Sequence, residues 1–200
     1  MTSPLAGFHR ANTLTYVSLL CAIGAIAGAV HGRGSVAGAL IAAAVIADTF
    51  DGKFARSFKR TGTERALGAQ LDSLSDAIAF GAAPCVCMML IGPSRPGWAE
   101  LAWWAGFAAF SICAITRLAF YNVSTDAASG FVGLPVPVAA LIWSTAVLVS
   151  PAPLTSSLLL LATAGAMVLP MRIPRPAGLA LAAFVIWPLL VIAAFALRGA

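Results

Sequence analysis

Charge is scarce in this chain. Only 10% of its 200 residues are Asp, Glu, Lys or Arg, against 60% hydrophobic residues; a soluble domain carries about a quarter charged residues. That excludes an ordinary soluble globular protein and leaves an integral membrane protein, of a length that fits one domain over 1–200. Histidine is scarcer still. His9 and His31 lie far from the acidic residues in sequence and in no motif, so covalent catalysis through histidine finds little support, and His31 reads as a solvated loop residue. Cys21, Cys85, Cys87 and Cys113 all fall inside apolar runs. Cys85 and Cys87, two apart, face different sides of a helix, which suits neither a metal nor a disulfide. They read as small apolar side chains. No small-residue cleavage site follows MTSPLAGFHR, so the first apolar stretch reads as a retained helix, not a signal peptide.

What is present is a succession of apolar segments: residues 12–30, 35–56, 68–91, 99–122, 134–150, 154–170 and 178–197. They predict an all-α polytopic transmembrane bundle of six to eight helices, seven by hydropathy. Asn12 or Thr13 is the expected N-cap of the first, and Gly24 and Gly28, one turn apart, allow it to pack closely on a neighbour. The apolar part of the second, to Ala47, is too short to span a bilayer, so the helix must continue through Asp48, Asp51 and Arg56. Residues 57–67 are expected as a loop, with the third helix beginning near Gly68. Gly92, Pro93, Pro96 and Gly97 mark a turn. Trp98, Trp103 and Trp104 are expected at a membrane interface, Ser124–Gly130 as a loop, and Pro151 and Pro153 leave the division between the fifth and sixth segments open.

Formal net charge is +5, but the cations gather in short loops, which argues against a nucleic-acid polymer as partner. With the 57–67 loop taken as cytoplasmic, that side holds Arg10, Lys53, Arg56, Lys59, Arg60, Arg65, Arg117, Arg172 and Arg175. The other side keeps Arg33, Arg95 and Arg198. This asymmetry follows the positive-inside rule and predicts a cytoplasmic-membrane protein with its acidic residues facing the cytoplasm.

Four of the seven acidic residues form two pairs, Asp48 with Asp51 and Asp72 with Asp76. At about 100° per residue they stand about 60° and about 40° apart around their helices. Gly52 and Ala55 share the side of Asp48, and Gly68 that of Asp72, so a ligand has room to approach the backbone. Carboxylates beside a hydrocarbon layer are costly and mark function. Oxygen-only ligands from two facing helices suit Mg²⁺ or Mn²⁺ better than zinc. Salt bridges to Arg56, Arg117 or Arg172 are the structural alternative. A cation or proton pathway is the alternative of another class, disfavoured because the acids cluster at one face and the chain shows no inverted repeat.

The pattern D-x-x-D-G-x-x-A-R followed by G-x-x-x-D-x-x-x-D, here Asp48, Asp51, Gly52, Ala55, Arg56, Gly68, Asp72 and Asp76, resembles the signature of the CDP-alcohol phosphatidyltransferases. The spacing between Arg56 and Gly68 is longer than the family's commonest one. The resemblance implies that fold and direct displacement assisted by Mg²⁺ or Mn²⁺, with two ions. It implies Asp48, Asp51, Asp72 and Asp76 as metal ligands and Asp76 also as general base. Asp48, Gly52, Ala55, Arg56 and Gly68 would hold the nucleotide.

Leu71–Pro84, Thr116–Val123 and Gly133–Ile142 resemble the membrane-embedded phosphatidylserine synthases of that family. This implies CDP-diacylglycerol as donor and L-serine as acceptor, among membrane lipids, with a homodimer as the expected assembly. Arg117 and Asn122, at the cytoplasmic end of the fourth helix, are the acceptor-binding candidates. Glycerol phosphate or inositol phosphate is the alternative acceptor, for which Arg172, Arg175 and the loop cations would supply the extra positive charge.

Overall fold

The computed structural model describes residues 4–92, 96–123, 131–149, 152–173 and 178–199. Two 3-10 turns, Pro4–Phe8 and Arg10–Asn12, lead into α1 (Thr13–Val30), α2 (Gly34–Ala55), α3 (Gly62–Ala79), α4 (Ala83–Ile91) and α5 (Trp98–Val123). Then come α6 (Val136–Val149), α7 (Pro153–Val168) and α8 (Leu179–Gly199). A two-residue ladder pairs β1 (Phe131–Val132) antiparallel with β2 (Arg172–Ile173), Phe131 opposite Ile173 and Val132 opposite Arg172. The fold is the expected all-α bundle. All seven apolar segments are helical, the third as the pair α3–α4. Among the described residues five spans are long and apolar enough to cross a membrane: Arg10–Val30, Gly34–Ala55, Gly62–Ile91, Trp98–Val123 and Leu179–Arg198. At 14 and 16 residues, α6 and α7 reach only about 21 and about 24 Å, short of a hydrocarbon core of about 30 Å.

The central helix is α2, which packs on α1, α4, α6 and α8. Its small side chains make that possible. A Cβ added at Gly24 or Gly28 of α1 would stand 3.2 Å from Leu40 or 3.3 Å from Val36 of α2, so the two helices approach as closely as the glycine spacing predicts. Gly38 receives the ring of Phe195 from α8 where no side chain would fit, and its carbonyl accepts a 2.8 Å bond from Ser144 Oγ of α6. Gripped on several sides, α2 carries its last two turns, with Asp48 and Asp51, in a fixed orientation.

Four sequence expectations change. First, α3 starts at Gly62 rather than near Gly68. Thr61 Oγ1 accepts from the Glu64 N–H while the Glu64 carboxylate accepts from the Thr61 N–H. This capping box turns half of the expected loop into helix, so the long spacing before Gly68 is largely extra helical turn. Second, the helix breaks at Phe80–Ala82. Pro84, in the first turn of α4, has no N–H to donate, and its ring would clash with the carbonyl four residues back. The Phe80 and Gly81 N–H groups both turn to the Asp76 carbonyl. Third, Asn12 stands at the start of α1 without capping it; its Nδ2 donates to the Gly7 carbonyl at 2.8 Å. Fourth, Trp98 and Trp104 are exposed, but Trp103 is buried and stacks edge-on against Trp143 at 6.1 Å. It is core. Pro93, Arg95, residues 124–130, Pro151 and the 174–176 turn with Arg175 lie outside the described residues.

Candidate active site

Three helices converge on the acidic residues. Thr15 Oγ1 of α1 donates to Asp51 Oδ2 of α2 at 3.1 Å, and Ser75 Oγ of α3 donates to the Thr15 carbonyl at 3.1 Å. These bonds fix the axial register of α1 against both acidic helices. One carboxylate oxygen from each of Asp48, Asp72 and Asp76 then lies within 4.8 Å of the others. Asp76 is 8% exposed; Asp48, Asp51 and Asp72 are half-buried. Asp51 stands beside this trio, held by Thr15.

The cluster suits a hard cation. Among the described residues no guanidinium or ammonium pairs with these carboxylates, and Asp72 Oδ1 is buried without a hydrogen-bond partner. Three converging carboxylates with one orphaned oxygen would hold Mg²⁺ or a similar ion through oxygen alone. Asp48, Asp72 and Asp76 are placed to be its ligands, with Asp51 one hydrogen bond away.

The aspartates form a ridge between two clefts. The smaller, about 200 Å³, is lined by Asp51 and Asp72 together with Gly52, Ala55, Arg56 and Gly68, and by Asn12, Thr15, Arg60 and Arg65. The larger, about 740 Å³, is lined by Asp48, Asp76, Thr49, Arg56 and Arg117, and otherwise by apolar side chains of α6, α8 and the two strands. Three of the four nucleotide candidates without a carboxylate, Gly52, Ala55 and Gly68, line only the smaller cleft. Arg56 borders both, and Asp48 turns to the larger one. A Cβ at Gly68 would meet Asn12 Oδ1 and Arg60 Nη1 at 3.0 Å, so a side chain there would have to push the ends of both aside.

The two acceptor candidates part company. Arg117 is 7% exposed, and its buried Nε and Nη2 have no partner among the described residues. Its guanidinium carbon lies 4.6 Å from the Tyr121 ring centre. Asn122 is exposed, accepts from Ser73 Oγ at 2.9 Å and lines neither cleft; its place is a tie between α5 and α3. Sequence reasoning missed Asn12 and Thr15. The signal was there in part: two polar residues three apart at the start of an apolar helix share one face with each other, and capping explained only one.

A family model described as CDP-alcohol phosphatidyltransferase matches residues 8–197. The CDP-diacylglycerol–serine O-phosphatidyltransferase of Mycobacterium leprae (strain TN) is 32% identical over 138 residues, 64% of this chain and 43% of that protein. The protein of the same name from Helicobacter pylori (strain ATCC 700392 / 26695) is 37% identical over 108 residues, covering 52% and 42%. The archaetidylserine synthase of Methanothermobacter thermautotrophicus is 30% identical over 176 residues, covering 82% and 66%. The chain thus spans under half the length of the mycobacterial relative. With the family model running from the turn before α1 almost to the end of α8, the chain belongs to the CDP-alcohol phosphatidyltransferase family.

Proposed function

We propose that this chain transfers the phosphatidyl group of CDP-diacylglycerol to the hydroxyl of L-serine, giving phosphatidylserine and CMP. The observation that carries the reading is the carboxylate trio, within 4.8 Å, on a ridge between a small polar cleft and a large apolar one. A CDP-lipid has the matching anatomy: a polar nucleotide, a charged diphosphate and two acyl chains. The nucleotide enters the small cleft, where Gly52, Ala55 and Gly68 leave its backbone walls bare. The diphosphate lies along the ridge, with Arg56 shared by both clefts as a fixed cation. The acyl chains leave along the apolar walls contributed by α6 and α8.

Mg²⁺ or Mn²⁺, as a pair of ions, would neutralise the diphosphate and the departing CMP phosphate. Asp48, Asp51, Asp72 and Asp76 hold that charge in place. Asp76, the most buried of the four and on the side of the large cleft, takes the hydroxyl proton. The serine oxygen bonds to the phosphorus that bears diacylglycerol, the bond from that phosphorus to the CMP phosphate oxygen breaks, and CMP leaves with the electron pair.

Serine is favoured by Arg117. A buried guanidinium with two free N–H-bearing nitrogens, in the same cleft as Asp76, is suited to a carboxylate. The names of the bacterial and archaeal relatives, three of them serine-using by description, support the same acceptor. The basic residues around residues 53–65 support a ridge that faces the cytoplasm from the cytoplasmic membrane. The test is CMP release from CDP-diacylglycerol by the full chain in membranes, offered serine, glycerol 3-phosphate and inositol phosphate in turn. Release that depends on serine is the expected result; release with a phosphorylated alcohol alone would reassign the acceptor.

A further inference from the structure

The roof of the large cleft at Arg117 is the β1–β2 ladder, and one residue of α5 ties it down. Tyr121 Oη donates to the Val132 carbonyl at 3.2 Å and accepts from the Val132 N–H, so a single side chain occupies both polar groups of a β1 residue. Gly133 continues the attachment. Its N–H donates to the Met171 carbonyl at 2.8 Å, its φ of +70° is one that residues with a Cβ seldom adopt, and a Cβ there would run into the Met167 carbonyl.

The same tyrosine ring is one wall for the Arg117 guanidinium, at 4.6 Å, and Phe131 is a second, at 6.0 Å. Aromatic faces hold a guanidinium in orientation without consuming its N–H donors. Arg117 therefore stays oriented while Nε and Nη2 remain without a partner among the described residues.

The register of the ladder has its own effect. Successive side chains of a strand point to opposite faces. Phe131 and Ile173, opposite one another, both line the cleft, whereas Arg172, opposite Val132, is exposed and does not line it. Arg172 is thus turned outward, and the apolar side chain of Ile173 faces the cleft instead.

We propose that this strap, latched by Tyr121, selects the acceptor. It holds Arg117 as the carboxylate-binding cation, apart from Arg56 at the diphosphate, and turns Arg172 away, so a zwitterionic amino alcohol is taken and a phosphorylated alcohol is refused. Tyr121 acts here as a positioning residue. The inference rests on the reading of the large cleft as the acceptor site, and the experiment separates the two.

Full-length Arg117→Ala, Tyr121→Phe and Ile173→Arg are assayed in membranes with CDP-diacylglycerol, and the KM of each substrate is measured. Tyr121→Phe keeps the ring and loses only the hydroxyl; its KM for serine is expected to rise about tenfold, with the KM for the CDP-lipid and kcat at saturating serine unchanged. Ile173→Arg brings a second cation into the cleft and is expected to raise turnover of glycerol 3-phosphate relative to serine. If Arg117→Ala leaves the serine KM unchanged, the acceptor site itself is misassigned. If Arg117→Ala raises it but Tyr121→Phe does not, or raises both substrates' KM together, the strap is not a selector although the acceptor site stands. An unchanged acceptor ratio in Ile173→Arg overturns the role of the register.

Discussion

The smaller cleft is walled by glycine, alanine, a threonine and an asparagine, and rimmed by Arg60 and Arg65. The larger one, more than three times its volume, is walled by Phe131, Leu134, Val138, Leu181 and Phe184, with Arg117 as a single deep cation. They share Arg56 and the aspartate ridge. The difference arises from spacing along two helices. Asp48 and Asp51 are three residues apart on α2, and Asp72 and Asp76 four apart on α3, about one turn along each helix axis, and the Asp51–Asp72 level lines the smaller cleft while the Asp48–Asp76 level lines the larger. The polar and the apolar part of one ligand can then be held on opposite flanks of one charge cluster.

The most severe way to break this comparison is to remove whatever cation the ridge holds. Exhaustive chelation is expected to abolish CMP release, and Mg²⁺ or Mn²⁺ to restore it; turnover that survives chelation would mean that the carboxylates act alone. Next in size, Asp76→Asn is expected to slow transfer by about 10²–10⁴-fold. CDP-lipid binding, measured directly on the same protein, should largely survive through Asp48, Asp51 and Asp72. Joint loss of binding and rate would make Asp76 a ligand without a proton-transfer role.

Arg117→Ala and Gly68→Val sharpen the two sides separately. Loss of the buried guanidinium is expected to raise the KM for serine about 10–100-fold, the range of a charge-assisted hydrogen bond, and to leave the KM for the CDP-lipid in place. Gly68→Val drives a side chain against Asn12 and Arg60 and is expected to do the reverse, raising the donor KM about tenfold, which corresponds to about 1.4 kcal/mol. Substrate titrations of both variants in one membrane preparation decide it, since the same pattern in both would erase the distinction between the clefts. Smallest of all, Thr61→Ala removes the cap of α3. It should cost about 1 kcal/mol of stability, read as a lower unfolding temperature, with neither KM changed.

The aspartates were legible in the sequence because carboxylates are so costly beside apolar segments that each one marks a purpose. The long helices α1, α5 and α8 were legible because their apolar runs approach the thickness of a bilayer, and α2 because its shorter apolar run had to continue through the aspartates to reach it. Other features were written in the sequence but masked by a more obvious pattern. Thr61 and Glu64 spell a capping box, yet the arginines around them suggest a loop. Pro84 signals a break, yet the run on either side is apolar enough to read through. Trp98, Trp103 and Trp104 together look like an interfacial belt; only the rotational phase of α5 against Trp143 removes the middle one to the core. The surroundings of Arg117 were out of reach. They depend on Phe131 and on a two-residue ladder whose partner strand is about forty residues further along, a pairing that no local pattern encodes.

The apolar lining around Asp76 bears on a reaction that the membrane would rather avoid. On the proposed reading, a carboxylate that accepts a proton from serine would also accept one from water, and water is the more abundant hydroxyl by far. Attack by water would convert the activated lipid into phosphatidic acid and CMP, discarding the nucleotide investment with nothing gained. Phe131, Leu134, Ile173 and Phe184 on the walls of the large cleft give that carboxylate apolar neighbours, which on the same reading would limit the water that reaches it. How faithfully the donor ends as product and not as waste would then depend on side chains that touch neither charge nor proton.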